Sequence, residues 1–164
     1  MIFKNFDERF KYQEQFIEQQ IQIIKNELNV KNVRVGSFQE DCKICADLVI
    51  EDFDRLLTVG LRVRQEKYLR YANEFTVRSY CPHGKTEFEK IFKDGHGDFI
   101  LYGFDVNGVF SHWSLIFVDK LRHLVNTKSP KLRYEVKRNP GDGNSFIAFD
   151  IHAMPEIIIA SSHK

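Results

Sequence analysis

The chain is short of most features that mark a specialised protein. It has three Cys in 164 residues, an odd number and no disulfide framework for a small secreted scaffold. The expectation is a cytoplasmic protein with reduced thiols. No stretch approaches the ~18–20 uninterrupted apolar residues of a membrane span, so no membrane partner is expected. The opening residues Met1–Glu8 carry no basic segment followed by an apolar run, which excludes a secretory signal there. Neither sign of charge is in excess: 24 Lys and Arg stand against 23 Asp and Glu. A histone-like polycation and a bulk polyanion mimic are both excluded, so any nucleic-acid binding must come from local segregation of charge. Gly-x-Ser-x-Gly, P-loop and Gly-x-Gly-x-x-Gly motifs are missing, and with them several common hydrolase and nucleotide-binding signatures.

What is present reads as one globular domain. Hydrophobic residues make up 43% and charged residues 29%, and fifteen Phe imply a core rich in aromatics. Phe6, Phe10, Ile17, Ile21, Ile24 and Leu28 recur at helical steps and predict one opening helix ending near Asn29, with Asn5 as a candidate cap. The period then changes. Val33 and Val35 bracket Arg34, residues 45–51 are strand-like, and Leu57, Val59, Leu61 and Val63 alternate with Thr58, Gly60, Arg62 and Arg64. Residues 75–79 repeat that alternation. Thr86 to Lys93 predicts a short helix capped by Thr86. Residues 99–104 and 113–118 predict buried strands joined across an Asp105–Gly108 turn, followed by a helix over 119–125. From about Leu132 a strand hairpin and a short tail follow. The expected fold is α/β (α+β): a single domain over 1–164 with a mixed central sheet and flanking helices, its core over about 6–125 and its hairpin and tail over about 130–164.

Charge is segregated along the chain. Residues 40–54 hold six acids against Lys43, whereas residues 120–139 hold seven bases against Glu135. Arg34, Arg62, Arg64 and Arg78 fall on the polar sides of successive predicted strands. If those strands pair, the guanidiniums converge on one face with Asp47. Like charges on neighbouring strands are destabilising unless something neutralises them. Carboxylates or water would do so on a solvated face. A phosphate backbone would do so in a nucleic-acid site, where the planar guanidinium donates in pairs.

An opening helix, a strand bearing an acid in Ala46-Asp47-Leu48-Val49-Ile50, and a third strand ending in bases in Thr58-Val59-Gly60-Leu61-Arg62-Val63-Arg64 together resemble the PD-(D/E)XK, or restriction-endonuclease-like, nuclease superfamily. Phe75–Ser79, Lys85–Ile91 and Gly97–Phe104 are similar to stretches of uncharacterised phage and bacterial proteins with such a core. In that superfamily a carboxylate on the second strand and an acid-x-Lys triplet on the third bind a divalent metal that activates water. The resemblance implies Asp47 as the metal carboxylate, Mg²⁺ as the ion, and Arg64, Glu87 and Lys90 as further catalytic groups. Arg62-Val63-Arg64 stands where acid-x-Lys is expected, and a cation at Arg62 repels Mg²⁺. The missing acid must then come from Glu18 or Glu87, or the metal has been lost.

A second constellation is independent of that resemblance. Cys42-x-x-Cys45 with Cys81-Pro82-His83 would make a three-thiolate, one-imidazole Zn²⁺ set; the alternative is thiols that merely pack. Two functions therefore stand at this point. One is a nucleic-acid-binding protein, a metal-dependent nuclease if its site is competent, with phosphates held by Arg34, Arg62, Arg64 and Arg78. The other is a non-catalytic, phage-type interaction or inhibitor protein that docks on a protein partner. A homodimer could serve either.

Overall fold

The computed structural model describes residues 6–81, 84–139 and 143–162. Its main sheet follows from the strands whose alternation is clearest. The strands are β1 (Val33–Val35), β2 (Leu48–Ile50), β3 (Leu57–Gln65), β5 (Phe99–Val106), β6 (Val109–Phe117) and β9 (Ile158–Ser161), in the order β1-β2-β3-β5-β6-β9. The pairs β1–β2, β2–β3, β5–β6 and β6–β9 are antiparallel, and β3–β5 is parallel. A parallel neighbour requires a long crossover. Here it contains a 3₁₀ turn (Glu66–Tyr71), strand β4 (Glu74–Tyr80) and a π-turn (Glu89–Lys93). Strand β4 belongs to a second, three-stranded antiparallel sheet with β7 (Tyr134–Arg138) and β8 (Ser145–Asp150), ordered β4-β8-β7.

The two faces of the main sheet bury separate clusters. Leu48, Ile50, Val59, Leu61, Leu101 and Leu115 meet Phe16, Ile21 and Ile24, the apolar face of helix α2 (Ile17–Leu28) and the residue before it. Ile100, Tyr102, Phe104 and Ile116 point the other way, onto Phe75, Val77 and Phe149 of the small sheet, Ile91 and Phe92 of the π-turn, and Leu121 and Leu124 of helix α4 (Val118–Asn126). The expectation of a mixed α/β domain with helices flanking one principal sheet holds.

Three local expectations need correction. The opening helix is two helices, α1 (Phe6–Glu14) and α2, broken at residues 15–16. Phe16 is fully buried and lies T-shaped to Tyr12, so the break turns an aromatic into the core that an unbroken helix would aim elsewhere. Asn5 and its proposed cap lie outside the described residues. A short helix α3 (Phe38–Ile44) precedes the second strand, whose paired part is Leu48–Ile50 and not the whole of residues 45–51. Ser37 and Glu40 form a reciprocal capping box, and Cys45 ends α3 in the left-handed conformation at φ 57°. Finally, the C-terminal tail is part of the main sheet, where β9 pairs with β6.

Candidate functional site: an arginine between two carboxylates

The site forms where β2 and β3 meet the crossover that follows β4. The β2–β3 register, Leu48 opposite Val59 and Val49 opposite Thr58, places Asp47 beside Gly60 and on the same face as Arg62. Two backbone contacts hold Asp47 there. The N–H of Gly36 donates to the Asp47 carbonyl at 2.7 Å, and the N–H of Leu61 donates to Asp47 Oδ2 at 2.6 Å. Gly36 is required at this point: a Cβ there would lie 1.9 Å from the Ala46 carbonyl oxygen, well inside contact distance.

Arg62 lies beside this carboxylate, its Nη1 3.8 Å from Asp47 Oδ2 and donating to the Leu61 carbonyl at 2.7 Å. Its Nη2 donates to Glu87 Oε1. Glu87 enters from the crossover, and its second oxygen accepts from the Arg78 N–H at 3.3 Å, which ties it to β4. Thr86 caps the following turn, accepting from the Glu89 N–H while its own N–H and hydroxyl donate to the Glu89 carboxylate. The turn then widens to π geometry, with the Asp94 N–H donating to the Glu89 carbonyl. Ile91 and Phe92 go into the core, while Lys90 stays half-buried, close enough to the Cys45 thiol to act on its acidity. π-Turns inside helices occur often at functional sites.

Burial dominates the electrostatics. It raises the Asp47 carboxyl to about 6, and Arg62 and the Leu61 N–H pull it only part of the way back. The Arg62 guanidinium is held charged chiefly by Glu87 and then by Asp47. Burial also lifts the Cys45 thiol to about 11, so it is protonated at neutral pH.

The remaining basic residues separate. Arg64 shares the face of Arg62 but donates to the Tyr102 hydroxyl at 3.1 Å and lies 4.6 Å over the Tyr68 ring, under the small sheet. Arg34 is on β1, bonded to Glu40 at 2.8 and 2.9 Å and to Glu51 at 2.6 Å. Arg78 is exposed on β4, in the other sheet. The structure thus gathers Asp47, Arg62, Glu87 and the adjoining Lys90, with Arg78 at the rim, and gives Arg34 and Arg64 neighbourhoods of their own. Glu18 is exposed on α2, the helix packed on the opposite face of the sheet. The anchor that sequence reasoning missed is Gly36. Its signal, a glycine closing a three-residue strand, reads as ordinary turn punctuation.

For a divalent ion the donor chemistry fits in outline. Two carboxylates offer hard oxygens, and Mg²⁺ is commonly held by one or two carboxylates with phosphate and water. Asp47 is half-buried and only partly compensated, as expected of a group with capacity for further positive charge. Among the described residues no group of three or more His, Cys, Asp or Glu side chains could hold a metal. For zinc, Cys42 is exposed on α3, Cys45 ends that helix and Cys81 follows β4, with no disulfide joining them; His83 lies outside the described residues. No described helix is long and apolar enough to cross a membrane. Compared with known proteins, the chain matches no family model, no curated protein and no solved structure.

Proposed function

We propose that the domain binds nucleic acid and that the Asp47–Glu87 pair is a divalent-ion centre for phosphodiester cleavage, on a restriction-endonuclease-like plan with a displaced acid. One observation carries this reading. Asp47 and Glu87, forty residues apart in sequence, bracket the single guanidinium of Arg62. The second acid that the Arg62-Val63-Arg64 stretch lacks is thereby supplied from the crossover. The run of opening helix, strands β1, β2 and β3, crossover and strand β5 follows the helix, strand, helix and strand order of the resemblance, with α3 inserted and a π-turn in place of the crossover helix.

In this reading Asp47 and Glu87 hold the ion, and Arg62 balances their charge in its absence. A bound Mg²⁺-type ion supplies an activated water and neutralises charge on the phosphate. Arg62 can turn from the carboxylates to a phosphate oxygen, to which its planar fork donates well. Lys90, one helical turn beyond Glu87, brings positive charge to the same place. Arg78, exposed at the rim, is the residue placed to meet the phosphate backbone.

The opposing reading is a scaffold that docks on a protein. It is favoured by the ion pairs that Arg62 already makes with both carboxylates. Incubation of the protein with single- and double-stranded DNA and RNA, with Mg²⁺ or Mn²⁺, separates the two. The proposal expects cleavage that is lost in Asp47→Asn and in Glu87→Gln, and binding that weakens in Arg78→Ala with a flatter salt dependence. Binding without cleavage in any metal would leave a scaffold that grips nucleic acid. The absence of both would favour the protein-docking reading.

A further inference from the structure

We infer that β7 is a dimerisation edge, and that two copies of the chain join through it into one continuous six-stranded sheet, β4-β8-β7 against β7-β8-β4 of the second copy. Strand β7 is the last strand of the small sheet, and among the described residues no strand pairs with its outer edge. Five consecutive residues, Tyr-Glu-Val-Lys-Arg, contain no proline to blunt it. An exposed edge of this kind is a template for another strand. Tyr134 and Val136 are 57% and 59% exposed, yet they stand opposite Phe149 and Ile147, residues in or packed on the core. They are apolar side chains on the core-facing side of the sheet with no strand beyond them to cover them.

The outward backbone groups can be assigned. The Asn139 N–H donates to the Asn144 carbonyl and the Asp150 N–H to the Arg133 carbonyl, so the odd-numbered residues 133 to 139 face β8. By the alternation of an antiparallel ladder, Tyr134, Val136 and Arg138 direct their N–H and C=O groups to the open edge.

A two-fold axis through Val136 pairs all five residues of each copy. Val136 meets Val136, Tyr134 meets Arg138, and Glu135 meets Lys137, each of the last two pairs occurring twice. An axis through Glu135 or Lys137 would set that residue against its own copy, and like charges directly opposite are destabilising. The charge pattern therefore selects the register with the longest overlap, and the contact is isologous, as a two-fold interface must be. Lys137 is held by Glu74 at 2.7 and 2.9 Å and lies 3.5 Å from Glu135 of its own strand, so its ammonium is fixed on the face where the second copy's Glu135 arrives. A five-residue edge is small beside a standard interface, so the association should be reversible.

Sedimentation velocity on the full chain, from dilute to concentrated solution, should show a monomer–dimer equilibrium. Glu135→Lys and Lys137→Glu should each weaken self-association by about tenfold or more. Mixed in equal amounts, the two variants should associate with each other, because the mixed pair restores both attractions. Circular dichroism should show both variants folded. If Lys137→Glu unfolds through loss of Glu74, Val136→Cys in a Cys42→Ser, Cys81→Ser background serves instead. Cα atoms of a hydrogen-bonded antiparallel pair lie ~5.5 Å apart, within disulfide range, so oxidation should cross-link Val136→Cys and leave Glu135→Cys uncross-linked. A wild type that stays monomeric throughout, or a dimer indifferent to Glu135→Lys, would overturn the inference.

Discussion

Arg34 and Arg62 occupy the same kind of place with different consequences. Each stands on the same face of the main sheet, and each lies beside two carboxylates. At the β1 edge, Arg34 and the Ser37 cap lower Glu40 to about 2; nothing there is left uncompensated. At the centre, burial outweighs Arg62 and raises Asp47 to about 6. The chemistry is one guanidinium and two acids in both places, and depth decides the outcome. An exposed trio is a surface ion pair of modest worth. A half-buried one, with Asp47 24% and Glu87 15% exposed, holds a carboxylate that would accept more positive charge, the property a cation site needs.

The two places meet at Gly36, and its replacement should have the largest effect. Gly36→Ala forces a Cβ against backbone rather than a movable side chain, at the upper end of the ~1–3 kcal/mol of overpacking. It should also displace Asp47, so urea denaturation should show the loss while binding and cleavage fall with it. Next comes the contrast between the arginines. Arg62→Ala leaves two partly buried acids facing each other. It should cost about 2 kcal/mol, below the usual range for a broken buried pair because Arg62 keeps 35% exposure. Arg34→Ala should cost much less. Equal losses from the two substitutions would erase the distinction drawn between edge and centre.

A pH series sharpens the same contrast. The folded-state acidity of Asp47 is weaker than its unfolded value, so the protonated carboxyl favours the folded state. That stabilisation is complete below about pH 4 and is lost as pH rises through about 6. Glu40 has the opposite sign: its contribution is present above its unfolded pKa of ~4.3 and is lost as pH falls towards 2. The wild type should therefore lose stability relative to Asp47→Asn between pH 4 and 6, read as a difference in Tm. Ser37→Ala, which removes the capping box of α3, should cost about 1 kcal/mol.

Much of the scaffold is legible in the sequence because period and burial agree there. Strand β3 alternates cleanly, and β5 reads as apolar because both its faces are covered. Thr86 and Glu89 announce their turn by spacing alone. The Asp105–Gly108 hairpin is equally plain, with Asn107 and Gly108 both at positive φ. Other features are hidden for physical reasons. The Ser37-x-x-Glu40 box is a helix signal, but α3 buries none of its residues, so no apolar period supports it. The alternation of β4 shows that it is a strand and says nothing about which sheet it joins. The break before Phe16 is a packing decision made by the core.

The site is legible in its parts. Asp47, Arg62, Glu87 and Lys90 can all be singled out from the sequence, but that Asp47 and Glu87 share one arginine depends on the crossover path. Arg34, Arg64 and Arg78 look alike in sequence. Their different surroundings come from Glu40, Tyr102 and membership of the second sheet, which no local pattern contains.

The proposed role of Asp47 and Glu87 is to act together as one cation centre around Arg62. Titration calorimetry with Mn²⁺ on the full chain, alone and with bound oligonucleotide, tests it most directly. One Mn²⁺ should bind per chain, more tightly with the oligonucleotide, and that binding should be lost in both Asp47→Asn and Glu87→Gln. A wild type that binds no Mn²⁺ in either condition, or binding that survives both substitutions, would contradict it.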